Sequence, residues 1–325
     1  MSSNELEPVN EIFCSCVIST VGRGTVVRAV NSVVSQSLEG GGFEVILVND
    51  SGKPLPDQGW ERSDRLQVIH TNRCERSAAR NTGASIARGC YLHFLDDDDW
   101  IADGAYQRLW ELSQTTDAKW LYGRTQLLDR QDQATIVLKH ELQGNCFAQA
   151  MAGEWIPLQS SMIERKAFWK VGGFNPLLSG PEDIDLQRRI LLESDIAETP
   201  NLVAYVMRGE QGSTTDYLQH SRLSRWAREG ILNSQNTFQR MHASASSPFW
   251  RGHMVRVYLT SMIWNLQHRR LLTAVSRAAF GMISMLSAWK NAGRKNFWLS
   301  VFRSYKSLTF KRGIEEAERT KDGGG

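Results

Sequence analysis

The sequence lacks the marks of several large protein classes. Its five cysteines, Cys14, Cys16, Cys74, Cys90 and Cys146, are odd in number and include no CxxC pair. That argues against a structural zinc site or a disulfide framework and points to free thiols in a reducing cytoplasm. The stretch Met1 to Asn10 is polar and acidic, without the basic start and apolar stretch of a secretory leader. A membrane-spanning helix needs about 20 predominantly apolar residues. The most apolar piece, Leu271 to Trp289, is shorter and is interrupted by Arg277. A dinucleotide-binding G-x-G-x-x-G is missing too, because Gly22 and Gly24 are followed by Val27. There is no internal repeat, and no nucleic-acid-binding motif is present.

What remains is a chain of ordinary globular composition, with 41% hydrophobic and 22% charged residues. The net charge of +3 conceals a division: residues 216–325 hold 18 basic and 6 acidic side chains, leaving 20 basic and 29 acidic in 1–215. An acidic body joined to a basic region suggests two units, the second facing an anionic partner.

Phe13 to Ser19 reads as a strand ending in the loop Thr20–Gly24, and Thr25 to Ser37 as a helix with Val26, Val30, Val33 and Val34 on one side. Phe43 to Val48 and Leu66 to His70 are the next strands. Ser77 to Arg88 is a small-residue helix closed by Gly89, and Cys90 to Leu95 a fourth strand running into Asp96-Asp97-Asp98-Asp99. This rhythm predicts an α/β fold: a mostly parallel sheet flanked by helices, with a C-terminal helical region. In such sheets ligands bind beyond the carboxyl ends of the strands. The loops Thr20–Gly24, Asn49–Gly52 and Asp96–Asp99 are therefore expected to line one crevice. Further along come a helix near Ala105–Gln114, a strand at Trp120–Leu128 and an apolar segment at Trp155–Ile163. A helix spans Pro181–Glu193, with Gly180 as cap and Pro181 at its first position, and helices run from Tyr217 to about Arg319.

Four consecutive aspartates repel one another strongly unless something compensates. In extended chain Asp96 and Asp98 share one side, and Asp97 and Asp99 the other. A D-x-D pair offers hard oxygen ligands to Mg²⁺ or Mn²⁺ and leaves positions open for water and substrate phosphates. A solvated acidic loop is the plainer alternative. An EF-hand fails on spacing, since positions six and twelve from Asp96 are Ile101 and Gln107. Glu182, Asp183 and Asp185 fill the first turn of their helix. They either complement its dipole or supply an ionised general base.

Taken in order, Val17–Thr20, Ala29–Ser37, Glu44–Ser51, Ala78–Gly83, Phe94–Asp99, Val171–Phe174 and Glu182–Arg189 resemble the motifs of the family 2 glycosyltransferases of GT-A fold, over roughly residues 13 to 215. The resemblance implies an inverting transferase that moves a sugar from a nucleotide-diphosphate sugar, usually a UDP-sugar, to an acceptor hydroxyl. By it, Ser19, Thr20, Asp50, Arg80, Asn81, Asp96 and Asp97 bind the donor. Asp98, with Asp96, holds Mn²⁺ or Mg²⁺. Asp183 is the catalytic base, and Glu182 and Trp155 meet the acceptor. The sequence departs from the family at Ser19, where the usual residue is Pro, and at Tyr205–Ser213, where a frequent metal-binding His is missing and Arg208 or Glu210 would have to substitute.

The implied organisation is an N-terminal tail (1–11), a GT-A domain (12–215), a basic helical region (216–320) and a disordered tail (321–325). The basic region either packs on the catalytic body or lies against anionic lipid. In the second case Lys290, Arg294, Lys295, Arg303, Lys306, Lys311 and Arg312, interleaved with Phe297, Trp298 and Phe302, form the face. The partners expected are then the nucleotide-sugar, a glycan or lipid-linked acceptor and the inner membrane face, with no nucleic acid. Two other readings remain. A nucleotidyltransferase would carry a Gly-rich phosphate loop with Lys near its amino end. A non-catalytic sugar-nucleotide-binding protein would not need Asp96, Asp98 and Asp183 together.

Overall fold

A computed structural model of the chain describes residues 12–55, 58, 60, 63–72, 75–129, 131–207 and 217–302. The proposed tails 1–11 and 321–325, residues Arg208 and Glu210, Cys74, and the basic residues Arg303, Lys306, Lys311 and Arg312 lie outside it.

The chain divides into two units. The first comprises the described parts of Met1–His140, Pro157–Pro176 and Ala197–Gly212, and the second those of Glu141–Ile156, Leu177–Ile196 and Ser213–Gly325. The division is not the single cut near residue 215 that charge alone suggested. Two internal segments, one carrying Trp155 and the other Asp183, group with the helical region.

The first unit is built on a mixed sheet. Strands β1 (Ile12–Thr20), β2 (Gly42–Asn49), β3 (Leu66–His70) and β4 (Tyr91–Asp96) are mutually parallel in the order β3-β2-β1-β4. Beyond β4 the pairing turns antiparallel. Strand β8 (Ser161–Glu164) pairs with β4, and β6 (Trp120–Leu128) with β8 and with β7 (Ala134–Leu138). The short β5 (Trp100–Ile101) pairs with β9 (Ile196–Met207). The β-prone runs of the parallel half were legible, and β6 spans the Trp120–Leu128 expected of it.

Alternation along β1 sets the two faces of this sheet. Cys14, Cys16 and Ile18 join a core with Val26, Ala29, Val30 and Val33 of α1 (Val26–Val34) and Tyr106 and Leu109 of α3 (Ala105–Ser113). The valines recur at helical spacing, which is why this stretch is a helix with one buried stripe. The helix is shorter than expected because Gln36 turns inward, donating its side-chain amide to the Ser32 and Ala102 carbonyls. On the opposite face, α2 (Arg76–Ile86) packs close. A Cβ on Gly83 would come within 2.4 Å of Val17 Cγ1 and 2.9 Å of Val48 Cγ2.

Glu44 fastens the far end of α2 to the sheet. Its carboxylate accepts from Ser15 Oγ (2.7 Å), the Arg88 backbone N–H (2.7 Å) and the Arg88 guanidinium. Burial pushes Glu44 up, but these donors outweigh it and hold the carboxyl below its usual range. Gly89 is not the left-handed stop expected of it, since Ala87 caps α2 in extended conformation. Gly89 is there because the backbone of β1 passes against it, and its N–H donates to Ser15 Oγ.

The second unit is helical, as expected: α4 (Phe147–Ala152), α6 (Glu182–Leu191), α7 (Tyr217–Leu232), α8 (Thr237–Ser244), α9 (Pro248–Gln267), α10 (Leu271–Ser287) and α11 (Lys295–Phe302). The remaining helix, α5 (Arg165–Lys170), belongs to the first unit. Two sequence expectations are corrected here. Pro181 stands at the N-cap of α6, not its first turn, and the preceding Gly180 takes a positive φ that lets its N–H reach Glu182 Oε2 at 2.8 Å. Phe297 does not belong to an exposed aromatic face, because it is buried with Val255, Ala288 and Val301, whereas Trp298 and Phe302 are exposed. No helix among the described residues is long and apolar enough to cross a membrane.

A Cβ at residue 89 would lie 2.5 Å from Ser15 N and 2.7 Å from Cys14 C, backbone atoms that cannot rotate away. Gly89→Ala is therefore expected to destabilise the fold by about 1–3 kcal/mol, read as a lower urea midpoint. An unchanged midpoint would show that β1 does not pass this closely.

Candidate active site

Three loops at the carboxyl ends of β1, β2 and β4 are tied together by hydrogen bonds. The Asp50 N–H donates to the Thr20 carbonyl at 2.8 Å, and Thr20 Oγ1 donates to Asp97 Oδ2 at 2.6 Å. Ser19 pairs in register with Val48 on one side and Asp96 on the other. The three loops expected to converge beyond these strand ends are thus joined to one another.

The aspartates do not simply alternate. The strand ends at Asp96, and the chain turns so that Asp99 N–H donates to the Asp96 carbonyl at 3.2 Å. That turn brings Asp99 round to the side of Asp96 and Asp98, and ligand oxygens of the three lie within 4.8 Å of one another. Asp97 alone points elsewhere, to Thr20 and to Arg23 Nη1 (3.1 Å). The expected pairing of Asp97 with Asp99 fails because extended-chain geometry stops one residue into the run.

Each carboxylate has its own environment. Burial pushes Asp96 up, but the Arg80 guanidinium, 2.5 Å away, outweighs it and leaves Asp96 below its ordinary value. Gln159 Nε2 donates to its second oxygen at 3.0 Å. Asp98 is raised by burial and by Asp96, although Arg23 Nη1 stands 2.9 Å from it. Asp99 is raised furthest, by burial and then by Asp96 and Asp98, while it accepts from the Met207 N–H at 2.8 Å. Asp97 is raised by burial despite Thr20 and Arg23. Crowded carboxylates whose pKa values rise are a site short of positive charge. The donor set is all hard oxygen, which fits Mg²⁺ or Mn²⁺, so Asp96, Asp98 and Asp99 are the residues able to hold such an ion.

The other expected site residues divide by what they already hold. Arg80 is buried, faces Asp96 and lies over the Phe174 ring at 5.3 Å. Asn81 spends its side-chain amide on backbone: Nδ2 donates to the Phe174 carbonyl (2.8 Å) and Oδ1 accepts the Phe174 N–H (3.0 Å). A Cβ on Gly173, which has φ +69, would meet Asn81 Oδ1 at 2.7 Å, so these two motifs explain each other. Asp50 accepts from Thr71 Oγ1 (2.7 Å) and the Glu75 N–H (2.8 Å), fixing the start of α2. In the second unit Asp183 sits in the first turn of α6 and accepts the Ile184 N–H at 2.7 Å. Glu182 is buried, and Trp155 is partly exposed. Arg23, Asp99 and Gln159 were not singled out from the sequence. Asp99 was visible within the acidic run, but Arg23 and Gln159 carried no local signal.

Comparison with known proteins agrees with the geometry. Residues 15–143 match the family model described as Glycosyl transferase family 2. A relative described as "Uncharacterized glycosyltransferase EpsJ", from Bacillus subtilis, is 38% identical over 91 residues, 26% of this chain and 25% of the relative. An "Uncharacterized glycosyltransferase" of Haemophilus influenzae is 26% identical over 196 residues, 55% of this chain and 62% of the relative. The chain thus matches only a quarter of the length of the first and less than two thirds of the second. In fold it is similar to S. aureus TarS 1-349 solved in complex with UDP-GlcNAc, with a TM-score of 0.57 at 13% identity, covering 87% of this chain and 93% of that one.

The crowding has a consequence for stability. A carboxyl whose folded pKa is raised loses stability as pH climbs from the unfolded value, about 4, towards the folded one. Asp99→Asn keeps an acceptor for Met207 and removes that charge. In EDTA it is expected to match the parent near pH 4 and to exceed it by on the order of 1 kcal/mol at neutral pH, read from thermal or urea unfolding. Equal stability at both pH values would contradict the repulsion.

Proposed function

We propose that this chain, whose residues 15–143 match glycosyl transferase family 2, is an inverting, divalent-cation-dependent glycosyltransferase of GT-A fold. It transfers a sugar from a nucleotide-diphosphate donor, with UDP as the expected nucleotide, to a hydroxyl of a glycan or lipid-linked acceptor. The observation that carries this reading is the meeting of Asp96, Asp98 and Asp99 at the end of a parallel strand, inside the matched stretch. The UDP-GlcNAc bound in TarS supports a uridine donor.

Asp96, Asp98 and Asp99 would hold the divalent cation, which would supply charge neutralisation for the departing diphosphate. Arg80 keeps Asp96 ionised as a ligand, and Gln159 orients it. Arg23, exposed beside Asp97 and Asp98, adds a positive charge for the donor phosphates at the same end. Ser19, Thr20 and Asp50 form the wall that meets the nucleotide. Asp97 and Asn81 serve by holding the loops of that wall, since their polar atoms are engaged within it.

Asp183 is the base. The positive end of α6 favours its ionised form, so it can take the proton of the acceptor hydroxyl as that oxygen bonds to the anomeric carbon. The bond from that carbon to the diphosphate breaks as the new one forms, and the electron pair leaves with the diphosphate. One displacement from the opposite face inverts the centre. Glu182 shapes the turn that presents Asp183, and Trp155 offers an aromatic surface for the acceptor. A lipid-linked acceptor would place the protein at the inner membrane face.

Thermal shift with UDP, GDP and dTDP sugars, each with Mn²⁺ or EDTA, tests the donor assignment. UDP-sugars are expected to stabilise the chain only with Mn²⁺, and Asp98→Asn should remove that effect. Stabilisation by GDP- or dTDP-sugars alone would overturn the uridine assignment. Asp183→Asn is expected to slow transfer by about 10²–10⁴-fold while leaving UDP binding with Mn²⁺ intact. Undiminished transfer would remove Asp183 from the mechanism.

A further inference from the structure

The second unit encloses a cavity of about 450 Å³ whose lining includes Arg188, Arg225, Arg228 and Arg256 and contains no Asp or Glu. A pocket of this size accommodates a small-molecule group. Four guanidinium-bearing side chains around one cavity repel one another, and no described residue neutralises them at short range. Among the described residues none of the four makes an ion pair.

Their hydrogen bonds go instead to neutral groups. Arg188, 3% exposed, donates to the Ala150 carbonyl at 3.0 Å and to Ser224 O and Oγ at 3.3 Å. Arg228 Nη2 donates to Thr260 Oγ1 at 3.3 Å, and its Nε, although buried, has no partner. Arg256 Nη1 donates to the Val301 carbonyl at 3.1 Å. Arg225 is exposed, without a hydrogen bond or ion pair among the described residues.

Carboxylates are near but, among the described residues, make no ion pair with these arginines, and Glu229 Oε1 is buried without a hydrogen-bond partner. Glu229 accepts from Ser261 and Asn265, and Asp185 pairs with Arg189 at 2.7 Å. Burial, and then Arg228, push Arg188 down to about 9, against the weaker pull of Asp185 and Asp183. The guanidinium remains charged at neutral pH but is less stable there than in water. Burial also lowers Arg228 and Arg256. A bound anion would reverse all three effects, and planar guanidinium groups suit the oxygens of a phosphate.

The lining is not wholly polar. Val257, Ile263 and Trp264 belong to it, and Arg270 stands over the Trp264 ring at 5.4 Å. Ile263 is half-exposed, and Leu266, one turn on along the same face of α9, is exposed as well. A cavity that joins arginines to apolar side chains, on a helix that also exposes Ile263 and Leu266, matches an amphiphile.

We propose that this cavity binds the phosphate or diphosphate group of a lipid-borne ligand, with the arginines on the phosphate oxygens and the Ile263–Leu266 face against the chain. Calling that ligand the sugar acceptor rests on the transferase reading above, whereas its binding does not. The reading gains from the fact that Arg188 and Ile184 of the cavity lie on α6, the helix that Asp183 opens.

Isothermal titration of the full chain in EDTA, which silences cation-mediated binding at the aspartate cluster, tests the proposal with three probes. Farnesyl diphosphate is expected to bind saturably, inorganic pyrophosphate more weakly, and farnesol not at all. Arg225→Glu, at an exposed position that holds no other part of the fold, is expected to weaken diphosphate binding by roughly tenfold or more, and Arg228→Gln to do likewise. Undetectable diphosphate binding, or binding unaltered by both substitutions, would overturn the site. Equal affinity for pyrophosphate and farnesyl diphosphate would overturn the lipid-borne ligand. Asp98→Asn separates the two claims, since it should leave farnesyl diphosphate binding in EDTA unchanged. If that binding persists in a chain that shows no cation-dependent UDP binding, the transferase reading fails and the cavity assignment stands.

Discussion

Four carboxylates in succession at the end of a buried strand repel one another, and the surrounding architecture can be understood as the means of holding them there. Arg80 is buried to neutralise Asp96, and it reaches that position because α2 packs against β1 and β2 at Gly83. Thr20 and Arg23 take up Asp97, which ties the loop after β1 to the loop after β4. Asn81 and Gly173 hold the Phe174 backbone, and the Phe174 ring lies beneath Arg80. The compensation is incomplete. Asp98 and Asp99 remain above their ordinary range, and a site left short of positive charge favours a cation.

The helical unit shows the opposite imbalance. Some of its buried polar groups are satisfied within the protein, as where Ser261 and Asn265 donate to Glu229 Oε2 and Arg277 donates to Asn233. The arginines of its cavity are not balanced in this way. A chain with net charge +3 therefore carries an uncompensated negative cluster in one unit and an uncompensated positive one in the other. A nucleotide-diphosphate sugar with its cation would answer the first, and a phosphate-bearing acceptor the second.

Much of this was legible before the fold was known, for physical reasons that differ from residue to residue. The strands β1, β2 and β4 are continuous β-prone apolar runs because both faces of the parallel sheet are covered, and such runs announce themselves. Asp96 and Asp98 stood out because an acidic run has no packing purpose at a strand end. Asp99 was assigned to the wrong side because a turn at Asp97 and Asp98 is set by contacts, including that with the Met207 N–H, which no local pattern encodes. Gln159 and Arg23 were invisible because their importance comes only from distant partners. In the antiparallel half β6 was read at its own bounds, whereas β5, β7 and β8 are too short to carry a period, and Gly89 was misread because close backbone approach and a helix stop both select glycine.

The central claim is that Asp96, Asp98 and Asp99 form a cation site that engages a nucleotide diphosphate. Its most direct test is crystallographic: crystals grown with UDP and Mn²⁺, with anomalous scattering recorded to locate the metal. The account predicts one manganese peak ligated by oxygens of these three aspartates and by the UDP phosphates. UDP bound with the metal elsewhere, or with no metal near the three carboxylates, would contradict it.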